Sequence, residues 1–167
     1  MAGALIALAE LGDADFAWLD ALRRKHYPPE RNRVPAHLTL FRALPPSAEA
    51  EVRRSLARAA QRAAPEARTS GMIDLGEGVA LRVSSPGLEQ VRDELAGEFH
   101  GLLSAQDRGP WTAHVTIQNK AEARAARVLL RQMREEFEPR AVKIRGLQLV
   151  RYADGGWEPL AAWRFLA

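Results

Sequence analysis

A chain whose second half repeats the element order of its first must fold by pairing two copies of one unit, and this sequence carries such a repeat. Strand, helix, strand, helix and strand are predicted once over residues 3–75 and again over 79–150. Three pairs of residues keep nearly the same offset: 77 positions separate His37 from His114, 74 separate His26 from His100, and 75 separate Gly71 from Gly146. No Pro/Ser-rich linker divides the copies. The expectation is therefore one bilobal α+β domain over residues 1–167, with two pseudo-symmetric lobes and a final strand at 155–166 outside the repeat. Mainly antiparallel sheets, helices on their outer faces and a central cleft complete the expected architecture.

The elements follow from hydrophobic spacing and breakers. Aliphatic residues from Gly3 to Leu11 predict a buried strand, and a helix capped by Asp13 or Asp15 runs to His26 before Tyr27-Pro28-Pro29 stops it. A polar loop, Glu30 to Pro35, leads to a strand from Ala36 to Ala43, and Ser47 is the expected N-cap of the next helix. Strands Arg68–Leu75 and Val79–Ser84 meet through Gly76-Glu77-Gly78. There follow a helix from Pro86 to Leu103, a strand from Trp111 to Ile117, and a helix from Ala121 to Phe137 with Val128, Leu129 and Met133 inward. Strands Val142–Tyr152 and Trp157–Phe165, joined by Asp154-Gly155-Gly156, close the chain.

Composition narrows the classes of chemistry. The hydrophobic fraction of 47% and charged fraction of 27% are those of a folded globular chain. Cysteine is absent, which removes disulfides, thiolate catalysis and cysteine-held metals, and fits a cytoplasmic setting. The apolar N-terminus lacks a basic flank and is interrupted at Glu10, so it reads as a strand, not a signal or membrane span. Net charge is +3, and arginine greatly outnumbers lysine. Arginine's planar fork suits phosphate, so an anionic partner fits.

The chemistry-bearing residues recur with the repeat. His37-Leu38-Thr39-Leu40 and His114-Val115-Thr116-Ile117 each place a histidine and a threonine two apart on a strand, hence on one face. Two related lobes would bring two imidazoles and two hydroxyls to one volume. That set suits a phosphodiester: one neutral imidazole takes a proton from water or a sugar hydroxyl, and the other, protonated, gives one to the departing oxygen. Imidazole's ordinary pKa of about 6.5 permits both roles, and such catalysis is worth roughly 10²–10⁴-fold. The threonine hydroxyls can hold the non-bridging oxygens. Neither metal nor cofactor is required. No zinc-ligand spacing, Gly-x-x-x-x-Gly-Lys loop or G-x-G-x-x-G run occurs, which weighs against an ATP-dependent ligase.

With both motifs, the length, the repeat and the C-terminal strand pair, the sequence resembles the 2H phosphoesterase superfamily. Within it, the similarity is to the 2′-5′ RNA ligase-like, RNA 2′,3′-cyclic phosphodiesterase branch. The resemblance implies His37 as proton donor, His114 as proton acceptor, Thr39 and Thr116 as phosphate holders, and a 2′-phosphomonoester product. It also implies RNA ends or cyclic nucleotides as substrates of a monomeric enzyme. Two other outcomes stay open: 2′-5′ ligation or 2′,5′-linkage cleavage at the same site, and an RNA-binding module without turnover.

Around the motifs, strand alternation extends the histidine face to Phe41, a candidate base-stacking ring, and to Gln118, a candidate hydrogen-bonding group. Lys120 reaches the substrate if its strand persists that far. Arg151 and Tyr152 end a strand expected to flank the second motif, a region that the resemblance makes a wall of the cleft, with Arg151 a candidate phosphate clamp. Arg31 and Arg33, in the loop before His37, could grip a nucleic-acid backbone. Trp111 is placed near the mouth of its strand, Trp157 and Trp163 against the C-terminal pair, and His26 and His100 at helix ends as structural residues.

Overall fold

Leu38 and Val115, the residues next to the two motif histidines, face each other as the single register pair that joins strands β2 (Leu38–Leu44) and β5 (His114–Gln118). In the computed structural model, which describes residues 3–167, these strands lie at the middle of one seven-stranded antiparallel sheet. The others are β1 (Leu5–Leu11), β3 (Arg68–Asp74), β4 (Val79–Ser84), β6 (Ile144–Ala153) and β7 (Gly156–Arg164), in the order β3-β4-β5-β2-β1-β6-β7. The helices are α1 (Asp13–His26), α2 (Glu49–Ala59), α3 (Pro86–Glu98), the single turn α4 (Ala105–Arg108) and α5 (Ala123–Glu136). Among the described residues no helix is long and apolar enough to cross a membrane.

The halves in space are not the halves in sequence. β3, the last strand of the first repeat, pairs with β4, while β6, the last of the second, pairs with β1. The short turn at Leu75–Gly78 explains the first exchange. Gly76 takes a positive φ of 83° and Leu75 N–H donates to the Gly78 carbonyl at 2.9 Å, so β3 folds back on its nearest neighbour in sequence. The helices exchange as well: α1 packs on β5, α5 covers β3 and β4, and α2 rests on α3, β6 and β7. Buried apolar residues from both halves, among them Leu38, Leu56, Val115, Ile117 and Leu149, belong to one continuous cluster.

Both motif strands are bulged at the same place in the repeat. Leu8 opposes Thr39 and Ala7 opposes Phe41, which leaves Leu40 as the extra residue. Ala80 opposes Thr116 and Val79 opposes Gln118, which leaves Ile117 extra. A bulge moves every later side chain to the opposite face. Phe41 and Gln118 are accordingly buried beside Leu40 and Ile117, against the alternation that puts them on the histidine face.

Elements start and stop within a few residues of expectation, with identifiable exceptions. β2 begins at Leu38, not Ala36, because the Ala36 N–H is taken by the Asp20 carboxylate at 3.0 Å and Pro35 has no N–H to give. Trp111 to Ala113 lie before β5, since the Thr112 carbonyl is occupied by the His114 ring. The cap before α1 is Gly12, without a side-chain bond, and a short 3₁₀ turn at Pro46–Ala48 displaces Ser47 from the N-cap of α2. The helix from Pro86 stops at Glu98, and α4 is an element that the hydrophobic spacing does not announce. Val128, expected inward, is exposed on α5.

Gly78 is the tightest backbone contact around the second bulge. A Cβ there would sit 1.9 Å from the Gln118 carbonyl oxygen, a backbone atom that cannot swing aside. Gly78→Ala should therefore destabilise the protein by at least about 1–3 kcal/mol, the usual range for overpacking. A lowered urea midpoint with an unchanged slope would show it; a wild-type midpoint would refute the close approach.

Candidate active site

Each histidine is oriented by its own backbone. The His37 ring is 2.8 Å from the Pro35 carbonyl through Nδ1, and the His114 ring is 2.8 Å from the Thr112 carbonyl through Nδ1. A carbonyl only accepts, so Nδ1 must be the donor in both rings. The neutral tautomer then leaves Nε2 as the free proton-exchanging atom on each side. The same i to i−2 bond at both motifs is the side-chain counterpart of the paired bulges.

The bulges sort what reaches the cleft. Two of the cavities at the motifs share Arg42 as a wall: one of about 650 Å³ containing His37 and Thr116, the other of about 300 Å³ containing His114 and Thr39. Each histidine thus shares its cavity with the threonine of the other motif. Arg42 takes the place on this face that simple alternation assigns to Phe41. The Phe41 ring is instead wholly buried, edge-on to Phe99 at 5.3 Å and 4.2 Å from the Arg92 guanidinium carbon, and is not available to stack on a base. Gln118 is likewise buried, its amide donating to the His26 carbonyl at 3.4 Å.

Buried arginines hold the bulged strands. Arg92, from α3, donates to the carbonyls of Leu40 at 3.0 Å and Asp107 at 2.8 Å. The Asp107 carboxylate in turn accepts the N–H groups of Arg42 and Ala43 at 2.9–3.1 Å. On the other strand, Arg23 of α1 donates to the Thr116 carbonyl at 3.1 Å and to the Asn32 side chain at 2.8 Å. In each half a helix of one repeat bonds the motif strand of the other, and the irregular carbonyls are satisfied inside the protein. Trp111 adds a third such bond, its indole N–H to the Thr39 carbonyl at 3.0 Å.

The remaining candidates divide. Lys120 lines the His37 cavity, although β5 ends at Gln118; a left-handed turn (φ 57°) carries it there. Tyr152 lines the same cavity. Arg151 does not: it is paired with Glu49 of α2 and with Glu158 at 3.6 Å, and Arg53 first and Arg151 after it hold the Glu49 carboxyl below its usual range. Its expected role as a phosphate clamp has no support in this position. Trp157, expected to pack with the C-terminal pair, meets His37 edge-on at 4.7 Å. Arg31 and Arg33 line the His37 cavity. Among the described residues no group of three or more His, Asp or Glu side chains forms a metal-ligand set.

Strand period alone does not bring Arg42 or Trp157 to the site. The adjacent pair Leu40-Phe41 is the available signal for Arg42, because two apolar neighbours break a period of two where a bulge sits. Nothing in the sequence points Trp157 at His37. Its position depends on the β6–β7 register, which sets Trp157 opposite Tyr152.

The electrostatics of His37 follow from this packing. Burial pushes its imidazole down to about 4; the bond to Pro35 opposes that, and the charges of Arg23, His114 and Arg42 add to it. The unfolded chain, with an imidazole pKa of about 6.5, therefore binds more protons than the folded one between roughly pH 6.5 and 4. Stability should fall as pH drops through that window, and His37→Gln should flatten the fall. By NMR, the His37 ring should titrate near pH 4. Trp157→Ala should move it upward by admitting water, since burial is the largest cause. A midpoint at the ordinary value in the wild-type protein would contradict this account.

The profile of the 2′-5′ RNA ligase superfamily matches residues 11–156. Among solved structures, TT0787 of Thermus thermophilus is similar at 20% identity, covering 97% of each chain with a TM-score of 0.68. E. coli LigT complexed with NADP+ is similar at 20% identity over 99% of each chain, TM-score 0.65. LigT complexed with 3′-AMP is similar at 19% identity over the full length of each, TM-score 0.61. No curated protein matches the sequence. The solved structures establish the shared fold, and the profile spans most of the chain, both His-x-Thr motifs included: the protein belongs to the 2′-5′ RNA ligase superfamily of 2H phosphoesterases.

Proposed function

We propose that the protein is a metal-independent phosphodiesterase that hydrolyses 2′,3′-cyclic phosphates of RNA ends or small nucleotides. The observation that carries this reading is the matched pair of Nδ1–H···O=C bonds, which leaves Nε2 free on each ring, His37 in a cation-rich cavity and His114 in the cavity that shares its Arg42 wall. Thr39 and Thr116 supply hydroxyls to the non-bridging oxygens, and Arg42, common to both cavities, supplies charge beside them. LigT has been crystallised with 3′-AMP and with NADP+, and phosphate-bearing ligands of that kind suit this cleft.

The steps balance without a cofactor. His114 Nε2 takes a proton from water as the water oxygen bonds to phosphorus. The bond from phosphorus to the ribose 3′-oxygen breaks, and His37 gives that oxygen its proton. The product is a 2′-phosphomonoester with a free 3′-hydroxyl, and the two imidazoles regain their starting states by exchange with solvent. A depressed pKa makes the His37 imidazolium a stronger acid but a scarcer one at neutral pH. An anionic phosphodiester in the cleft acts against Arg23 and Arg42 and raises it again.

His37→Ala and His114→Ala should each lower kcat on a 2′,3′-cyclic nucleotide by about 10²–10⁴-fold, with wild-type thermal melts. The pH profile should be bell-shaped, and the acid limb of kcat should lie above that of kcat/KM because bound anion raises His37. Full turnover in either variant would end the two-histidine mechanism, and loss of activity in EDTA would end the metal-free one. Joining of RNA ends without cyclic-phosphate hydrolysis would favour ligation, and binding with no turnover would favour an RNA-binding module.

A further inference from the structure

The cavities beside the histidines are unequal, and the inequality says where the nucleoside goes. His37 borders the largest of them, about 650 Å³, and a second of about 370 Å³ that Glu10 and Asp13 also line, whereas His114 borders one of about 300 Å³. In the mechanism above the His114 side need admit only water, whereas the oxygen protonated by His37 belongs to the ribose. The nucleoside therefore occupies the largest cavity, between Tyr152 and the loop that precedes His37.

That cavity carries more positive charge than a single phosphodiester can use. Arg23, Arg31, Arg33, Arg42 and Lys120 line it, and no Asp or Glu does. Arg23 is buried and committed to Thr116 and Asn32, and Arg42 borders both cavities. Arg31, Arg33 and Lys120 are exposed, and none makes an ion pair among the described residues. Arg33 lies against the tip of the β6–β7 hairpin, where a Cβ on Gly155 would stand 3.5 Å from its Cδ and Nη1. Like charges left facing one cavity are destabilising unless an anion joins them.

We propose that Arg31 and Arg33, assisted by Lys120, form a second phosphate subsite that takes the phosphate on the 5′ side of the nucleotide whose cyclic phosphate is opened. The inference rests on the function proposed above and narrows its substrate class. The preferred substrate is a 2′,3′-cyclic phosphate that also carries a 5′ phosphate, as in an RNA end or a 5′-phosphorylated nucleotide, and not a bare nucleoside 2′,3′-cyclic phosphate.

The test compares adenosine 2′,3′-cyclic phosphate with its 5′-phosphorylated form and with a dinucleotide ending in a 2′,3′-cyclic phosphate. In wild-type protein the 5′-phosphate should lower KM by about tenfold or more with kcat little changed, as a charge-assisted contact remote from the reacting atoms does. Preference for the dinucleotide over the 5′-phosphorylated nucleotide points to RNA ends, and the reverse order to free nucleotides. Arg31→Gln/Arg33→Gln should erase the advantage, losing at least tenfold more on the phosphorylated substrates than on the bare one. Equal KM values in wild type, or equal losses on all substrates, would overturn the subsite. Calorimetric binding of adenosine 3′,5′-bisphosphate against 3′-AMP tests it without turnover. Tighter bisphosphate binding that the double variant removes, in a protein that hydrolyses nothing, keeps the subsite and rejects the phosphodiesterase. Hydrolysis of all three substrates with equal KM does the opposite.

Discussion

The bulges at Leu40 and Ile117 hold the site together, because each decides which side chains after a histidine turn inward and which reach the cleft. A regular β2 would present a phenylalanine to the substrate; the bulged one buries Phe41 and presents Arg42. Such an irregularity persists only if its displaced backbone groups find partners, since an unpaired buried carbonyl or N–H costs about 1–3 kcal/mol. Arg92 meets the Leu40 carbonyl, and the Asp107 carboxylate meets the N–H groups just beyond it. Arg92 also bonds the Asp107 backbone, so α3, α4 and β2 are tied as one unit. The charged network is thus the support of the bulge, and the bulge is the support of the site.

The exchange of helices and strands between the repeats ties the two motif strands together. Arg23 reaches from a helix of the first repeat to the motif strand of the second, and Arg92 reaches the other way. With β3 and β6 also exchanged, neither half completes its sheet without the other. β2 and β5 themselves share only one register pair, so these cross-connections, more than the seam, join the two motif strands. The mechanism proposed above, with an acid and a base on opposite sides of one phosphorus, would require such a frame.

The likeness between the repeats extends to hydrogen bonds: each histidine ring is turned by the carbonyl two residues before it. Their surroundings then diverge. Trp157 and a ring of cations shape the His37 side, while Trp111 and a smaller cavity shape the His114 side. That divergence gives two like groups unlike proton affinities, as burial and neighbouring charge lower that of His37.

The repeat offsets, the breaker residues and the two His-x-Thr strings are enough to place nearly every strand, every helix but α4, and both imidazole–hydroxyl pairs, because these depend on spacing along the chain. Lys120 and Tyr152 also reach the cleft, but Lys120 by a left-handed turn beyond the end of β5, and the expectation for Tyr152 comes from the family resemblance. Spacing fails for Phe41 and Gln118, where a bulge reverses the alternation, and for Arg151, whose partner Glu49 lies on a distant helix. Arg42 and Trp157 enter the site for matching reasons, one through the bulge and one through hairpin register. Strand period and motif are local properties and can be read from order alone. Which face a residue takes after a bulge, and which charge it meets there, are settled by contacts between segments far apart in the chain, and only the folded protein holds those.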